Sequence, residues 1–89
     1  MNTYLKIDGP KETLLYAQIT CENGQLHITN TDPLRKSYQE VIPLTAIQRL
    51  TKDTFWGGQR ITFQYEGNFY TFYECGLGVV DYLVESLNL

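Results

Sequence analysis

Cys21 and His27 are the one pair of residues in the sequence that suggests a nucleophile beside its general base. Both lie in segments where polar and apolar residues alternate, which is typical of β-strands with one face in the core. The Asn-Gly dipeptide between these segments favours a tight hairpin that pairs Cys21 with Leu26 and His27 with Thr20. Because directly paired residues share a face of the sheet, the thiol and the imidazole point to opposite sides. We predict a core thiol and a surface imidazole rather than a catalytic pair.

Other sets of residues point even less to catalysis or metal binding. One histidine, and two cysteines without C-x-x-C spacing, predict no metal site and no cofactor. Most acidic residues fall in turns or on polar faces. Glu74 is the exception, because alternation places it on the same side of its strand as Phe72; we interpret it as a residue at the rim of the sheet whose carboxylate reaches water. Gly76 and Gly78 lack the further glycine and the lysine of a phosphate-binding loop, and we expect them to turn the chain into a helix. The sequence therefore predicts a protein that is not an enzyme.

Aromatic side chains at predicted outward positions form a different kind of candidate site. This candidate interaction surface contains Tyr16, Phe69 and Tyr73 on strands, and Phe55 and Trp56 in a loop flanked by glycines. Exposed aromatic residues can anchor a protein partner. The alternative is that other segments of the chain or a second subunit cover them. Self-association would satisfy both interpretations.

The charge balance narrows the classes of partner. Seven Lys and Arg against ten Asp and Glu give a formal net charge of −3 and a pI near 4.9. Such a field repels nucleic-acid phosphates and anionic lipids, so nucleic-acid and membrane binding are disfavoured. No small-molecule substrate is indicated. The candidate anion contacts, should folding gather them, are Arg35 with Lys36, and Arg49 with Lys52 and Arg60.

The composition predicts a single β-rich domain over residues 1–89. The chain has the length of one domain, and 43% of its residues are hydrophobic, enough to build a core. Aromatic residues, at 13%, favour strands. The N-terminus lacks a secretion signal and no apolar stretch has the length of a membrane span, so we expect a cytoplasmic location.

Alternation and turn residues predict the strands of the first half. Residues 3–7 are expected to form a short edge strand, and residues 13–21 form a hairpin with the strand that follows the Asn-Gly turn. Residues 37–42 predict a further strand, which ends because Pro43 cannot donate to a ladder. Thr45 either caps a short helical turn or begins a strand that runs through Leu50, and residues 54–58 are expected to be a loop.

The second half predicts another hairpin and a helix. A turn at Gly67 and Asn68 would pair Tyr65 with Tyr70 and Phe63 with Phe72, and leave Phe69, Thr71 and Tyr73 outward. From residue 79 the period changes to that of a helix with Val80, Leu83 and Leu87 on one face. The predicted fold is mainly β (α+β): a strongly bent antiparallel sheet or partly open barrel of six to seven strands, closed by this helix.

A resemblance to a known family is carried by residues 41–47, which read V-I-P-L-T-A-I, by the hairpin of residues 61–72 and by the helix of residues 79–87. Together they resemble the later half of a pleckstrin-homology-like domain of the small bacterial or GRAM type. The resemblance implies a curved seven-stranded barrel or sandwich plugged by its C-terminal helix. Members that bind phosphoinositides use a basic cluster between their first strands, whereas residues 8–12 and 22–24 carry little positive charge here.

The expected function is therefore a non-enzymatic cytoplasmic module for protein interaction or self-assembly, with a protein or a second copy as partner. The alternative is a domain that binds a small ligand or an anionic lipid headgroup.

Overall fold

The computed structural model describes residues 1–30 and 38–87. In these residues seven antiparallel strands form one curled, half-barrel sheet with the order β4-β3-β2-β1-β7-β6-β5, followed by a C-terminal helix. The strands are β1 (Asn2–Asp8), β2 (Thr13–Glu22), β3 (Gln25–Asn30), β4 (Gln39–Pro43), β5 (Gln48–Phe55), β6 (Gly58–Tyr65) and β7 (Asn68–Tyr73). A 3₁₀ turn (Leu44–Ala46) joins β4 to β5, and the helix α1 spans Val79–Ser86. The predicted fold class is confirmed.

The hairpin of β2 and β3 has the predicted register. Cys21 pairs with Leu26, Ile19 with Ile28 and Thr20 with His27. Its turn residues, Asn23 and Gly24, have φ of 52° and 73°. These left-handed values are the ones that asparagine and glycine adopt at low cost.

The hairpin of β6 and β7 has a different register from the predicted one. Its turn uses Glu66 and Gly67, with φ of 50° and 81°, rather than Gly67 and Asn68. Phe63 therefore pairs with Tyr70, which the prediction had placed opposite Tyr65. Because the error shifts the pairing by two residues, the side chains keep their predicted faces. Phe63 and Tyr70 stack in the core with ring centroids 5.3 Å apart.

Two expectations for the first strand and for residues 43–58 were wrong. The strand β1 lies in the middle of the sheet, between β2 and β7, and is not an edge. The expected loop at residues 54–58 is the tip of a third hairpin, in which Phe55 pairs with Gly58. Of the alternatives for Thr45, the 3₁₀ turn is observed, but no side chain caps it and β5 begins only at Gln48. The beginning of the strand predicted for residues 37–42 lies outside the described residues.

The core occupies the inner face of the curled sheet. Its fully buried members include Leu5 and Ile19 from the first strands, Phe63 and Phe72 from the last, and Leu83 from the helix. Curling brings β4 close to β7, because Glu40 on β4 contacts Tyr70 on β7 although three strands separate β4 from β7. Alternation along the strands leaves a separate outer face, which is directed away from the core.

The helix α1 docks its apolar side on the sheet, as predicted. It packs on β6 and β7, with Val79, Val80 and Leu83 buried and Leu87 half-buried against the core. The backbone N–H of Cys21 donates a hydrogen bond of 2.7 Å to the hydroxyl of Tyr82 and ties the helix to β2. An eight-residue helix is marginal alone, and each buried side chain contributes about 1.5–3 kcal/mol, so docking stabilises it. None of the described helices is long and apolar enough to cross a bilayer.

Candidate functional site

The outer face carries a row of directly paired residues that crosses five strands. Tyr16 on β2 pairs with Tyr4 on β1, and Tyr4 also pairs with Tyr73 on β7. The row continues from Tyr73 to Arg60 on β6 and from Arg60 to Asp53 on β5. Since directly paired residues share a face, these five side chains form one continuous band, which we call the outer row.

The rings at one end of the outer row contact each other. The ring centroids of Tyr4 and Tyr16 lie 4.8 Å apart with an interplanar angle of 54°. The side chain of Tyr4 is exposed, and those of Tyr16 and Tyr73 are half-buried. Mutual contact holds the tyrosine rings in place, which limits the entropy lost when another molecule packs on them.

The other end of the outer row is a pair of opposite charges beside a ring. Arg60 donates two hydrogen bonds to the Asp53 carboxylate, of 2.7 Å and 3.1 Å. This hydrogen bonding lowers the pKa of Asp53 and raises the pKa of Arg60. The Cζ atom of Arg60 also lies 4.5 Å from the centroid of the Phe55 ring. The guanidinium is thus engaged both by a carboxylate and by an aromatic face.

Trp56 is the most exposed large hydrophobic side chain in the described residues. It lies at the tip of the β5–β6 hairpin, is 91% exposed, and contacts Phe55 edge to face with ring centroids 6.1 Å apart. Its φ of 53° is left-handed, as required of the first turn residue before Gly57. Bulky residues rarely adopt this conformation because it brings Cβ close to the following carbonyl.

The five aromatic residues of the candidate interaction surface all lie outside the core, but they differ in exposure. Phe55, Trp56 and Phe69 are exposed, but Tyr16 and Tyr73 are only half-buried residues of the outer row. Thr71 points to the outer face, as predicted, but it is only 6% exposed. It lies between its two cross-strand neighbours, Lys6 on β1 and Thr62 on β6. Phe69 lies two residues along β7 from Thr71, away from the outer row.

Tyr4 belongs to this surface and was missed from the sequence. Alternation in residues 3–7 places Tyr4 opposite to the core residues, but the strand was expected at an edge. Its central position, between β2 and β7, is what brings Tyr4 between Tyr16 and Tyr73.

The predicted anion contacts do not form one cluster in the described residues. Arg35 and Lys36 lie outside these residues. Lys52 pairs with the core residue Ile61, whereas Arg60 pairs with Asp53 on the outer row, so the two cations lie on opposite faces. Arg49 sits in a bulge of β5 with a left-handed φ of 54°. The sequence could not reveal this, because the bulge changes the alternation along β5.

Glu40, Tyr38 and Tyr70 form a polar group on the inner face of the sheet, which was also missed from the sequence and which we call the Glu40 group. One carboxylate oxygen of Glu40 accepts hydrogen bonds from the hydroxyls of Tyr38, at 2.5 Å, and Tyr70, at 2.6 Å. Burial and then the hydrogen bonds to Glu40 raise the pKa of both phenols above their usual range. Both tyrosines therefore stay protonated at neutral pH and act as donors. The group closes the curled sheet by joining β4 to β7.

Cys21, His27 and Glu74, the residues first considered for chemistry, all have structural roles in the sheet or at the start of the helix. The pairing of Thr20 with His27 and of Cys21 with Leu26 places the imidazole and the thiol on opposite faces, as predicted. Glu74 is more than a rim residue: its carboxylate accepts hydrogen bonds of 2.8–3.1 Å from the backbone N–H groups of Gly76, Gly78 and Val80. These bonds cap the start of α1 and lower the pKa of Glu74. In the described residues, no three His, Cys, Asp or Glu side chains are placed to hold a metal ion.

A shallow cleft of about 300 Å³ lies where the 3₁₀ turn and β5 meet the end of α1. It is lined by Leu44, Thr45, Ile47, Leu50, Ser86 and Leu87. The side chains that line it are apolar apart from the hydroxyls of Thr45 and Ser86, so they offer neither an acid nor a base to a bound molecule.

Scans of protein-family models, curated proteins and solved structures found no match to this chain. The outer row, the hairpin tip and the Glu40 group are therefore interpreted from their own geometry.

Proposed function

We propose that this chain is a non-enzymatic module for protein interaction or self-assembly, and that it contacts its partner through the outer row and the tip of the β5–β6 hairpin. The proposal rests on the exposure and the backbone conformation of Trp56. Its indole is 91% exposed, and its backbone is in a conformation that costs a bulky residue free energy. Neither the core nor the turn requires a tryptophan there. A contact with another molecule would account for both properties, since tryptophan is enriched among the residues that dominate binding energy.

The surroundings of Trp56 support the same proposal. Phe55, next to Trp56, and Tyr4, in the outer row, are exposed. The positive charge of Arg60 is balanced by the carboxylate of Asp53. A neutral aromatic surface whose side chains are already partly held in place can pack against a protein partner without removing many charged groups from water. The seven-stranded sheet and terminal helix are the arrangement that the pleckstrin-homology-like resemblance implies, and we extend the proposal to a cytoplasmic domain of that kind.

The headgroup-binding alternative has less support in the described residues. A phosphate site needs several cations directed at one point. Arg60 is already engaged by Asp53, and Lys52 lies on the other face of the sheet.

A photo-crosslinking amino acid at position 56 tests the proposal. We expect it to form defined adducts, either with a second copy in purified protein or with another protein in an extract of the cells that make this chain. The matched control is the same crosslinker at Val41, which is exposed on the outer face of the edge strand β4. Sedimentation velocity separates the two kinds of partner, since only self-assembly changes with concentration. Equal crosslinking at positions 41 and 56, or none at position 56, would contradict the proposal.

A further inference from the structure

We infer that the outer row and the β5–β6 tip bind a proline-rich segment in the polyproline II conformation; the inference rests on the proposed function and specifies its partner. It follows from three properties of the surface: its charge, its hydrogen-bonding groups and the spacing of the strands that carry its rings.

The charge of the surface fits an uncharged segment. Arg60 is paired with Asp53, and Lys6, in the neighbouring row, lies 3.6 Å from Asp8. What remains for a partner is chiefly aromatic area on Tyr4, Phe55 and Trp56. An acidic or basic segment would lose hydration here without gaining an unpaired opposite charge. Proline rings are apolar and bring no charge to desolvate.

The hydrogen-bonding groups fit a partner that mainly accepts. A polyproline helix has no internal hydrogen bonds, so its carbonyls are free, and its prolines have no N–H to donate. The hydroxyl of exposed Tyr4 and the indole N–H of exposed Trp56 are donors. A partner that adds a β-strand would instead need a regular sheet edge. The nearby edge, β5, is interrupted by a bulge between Gln48 and Thr51, which disfavours that mode.

The spacing of the strands that carry the tyrosine rings fits the polyproline repeat. Tyr16, Tyr4 and Tyr73 lie on three adjacent strands, and neighbouring strands are about 4.8 Å apart, so the strands that carry Tyr16 and Tyr73 are roughly 9.6 Å apart. One turn of polyproline II advances about 9.3 Å, from three residues at about 3.1 Å each. A segment laid across the strands therefore advances by about one turn between the strand of Tyr16 and the strand of Tyr73. Continued along the outer row, it reaches Arg60, where the Phe55 ring lies 4.5 Å from the guanidinium and Trp56 of the hairpin tip is in edge contact with Phe55.

A titration with a ten-residue polyproline peptide tests the inference, because Trp56 is the only tryptophan and its emission reports on its own burial. We expect a saturable blue shift and a binding isotherm by calorimetry. Tyr4→Ala and Trp56→Asn should each weaken binding at least tenfold by calorimetry, while Val41→Ala on β4 leaves it unchanged. A Gly-Ser peptide of equal length should not bind.

Folding of each variant is checked by circular dichroism, so that lost binding is not mistaken for unfolding. The absence of polyproline binding at millimolar concentration overturns the inference. So does equal binding by the Gly-Ser peptide or by the Tyr4 and Trp56 variants. If the crosslinker at position 56 still captures a protein while polyproline does not bind, the partner class is wrong and the proposed function stands. If both experiments are negative, both fail.

Discussion

Replacing Trp56 with asparagine should make the protein more stable while weakening its binding. In most proteins an exposed tryptophan can be replaced with little effect on folding. Here the replacement removes backbone strain, because Trp56 holds a φ of 53° at the first position of a two-residue turn. Asn23 holds the same position of the β2–β3 turn, with a φ of 52°, and asparagine adopts this conformation readily.

The magnitude follows from two opposing contributions. A left-handed residue other than glycine costs about 1–2 kcal/mol, of which asparagine should recover about 1 kcal/mol. The edge-to-face contact between Phe55 and Trp56, with centroids 6.1 Å apart, is lost and is worth about 0.5 kcal/mol at an exposed site. The net stabilisation is then about 0.5 kcal/mol. For a domain of this size that raises the melting temperature by roughly 2–4 °C.

Thermal unfolding followed by circular dichroism measures the effect, and chemical denaturation gives the free energy of unfolding. The matched control is the reciprocal change, Asn23→Trp, which places tryptophan in an equivalent turn and should cost about 1 kcal/mol. A lower melting temperature for Trp56→Asn would refute the reasoning. So would an Asn23→Trp variant as stable as the original protein, since both results would mean that the turn conformation carries no penalty for tryptophan.

Three further predictions concern the helix cap, the Glu40 group and the thiols. Glu74→Gln should destabilise the fold by about 1–2 kcal/mol after allowance for its partial exposure, because an amide cannot accept all three N–H groups. The pKa of Glu74 is lowered in the folded state, so the stabilisation relative to Glu74→Gln is complete at neutral pH. This stabilisation is lost as the pH falls from about 4.5 through the folded-state pKa of Glu74. Melting curves at pH 7 and pH 3 measure the loss, and the exposed-site variant Glu22→Gln should show no such difference. Tyr70→Phe leaves its carboxylate partner with one donor fewer and should cost about 1–2 kcal/mol in urea unfolding, whereas an unchanged midpoint would mean that this bond contributes nothing. In native protein, exposed Cys75 should react quickly with a thiol reagent and half-buried Cys21 slowly, because burial raises the pKa of the Cys21 thiol; two equally fast thiols would contradict this.

Local rules were sufficient for elements whose partners are close in sequence. Alternation and an Asn-Gly turn together predicted the pairing of Cys21 with Leu26, and with it the separation of Cys21 from His27. The same rules were less accurate where the turn residues were ambiguous. A turn at Glu66 and Gly67 and one at Gly67 and Asn68 differ in register by two residues, and only the observed pairing of Tyr65 with Asn68 distinguishes them.

The β5–β6 hairpin was missed for a related reason. Trp56 and Gly57 form a turn of the same left-handed kind as Asn23 and Gly24, but tryptophan is not a turn residue by propensity. The sequence signal for this turn was Gly57, which follows a residue of no particular turn preference between two segments of alternating residues. It carried too little weight beside a bulged strand whose alternation is broken near Arg49.

The sequence by itself determined which residues face the core in five of the seven strands, where the terminal helix begins, and that aromatic side chains lie on the outward side. Only the tertiary structure decided which of those side chains meet. The outer row requires β1 to lie beside β7, and the Glu40 group requires the sheet to curl until β4 approaches β7. Both depend on the order and curvature of strands far apart in the chain, which arise from burying one shared core and leave no mark in the period of any single strand.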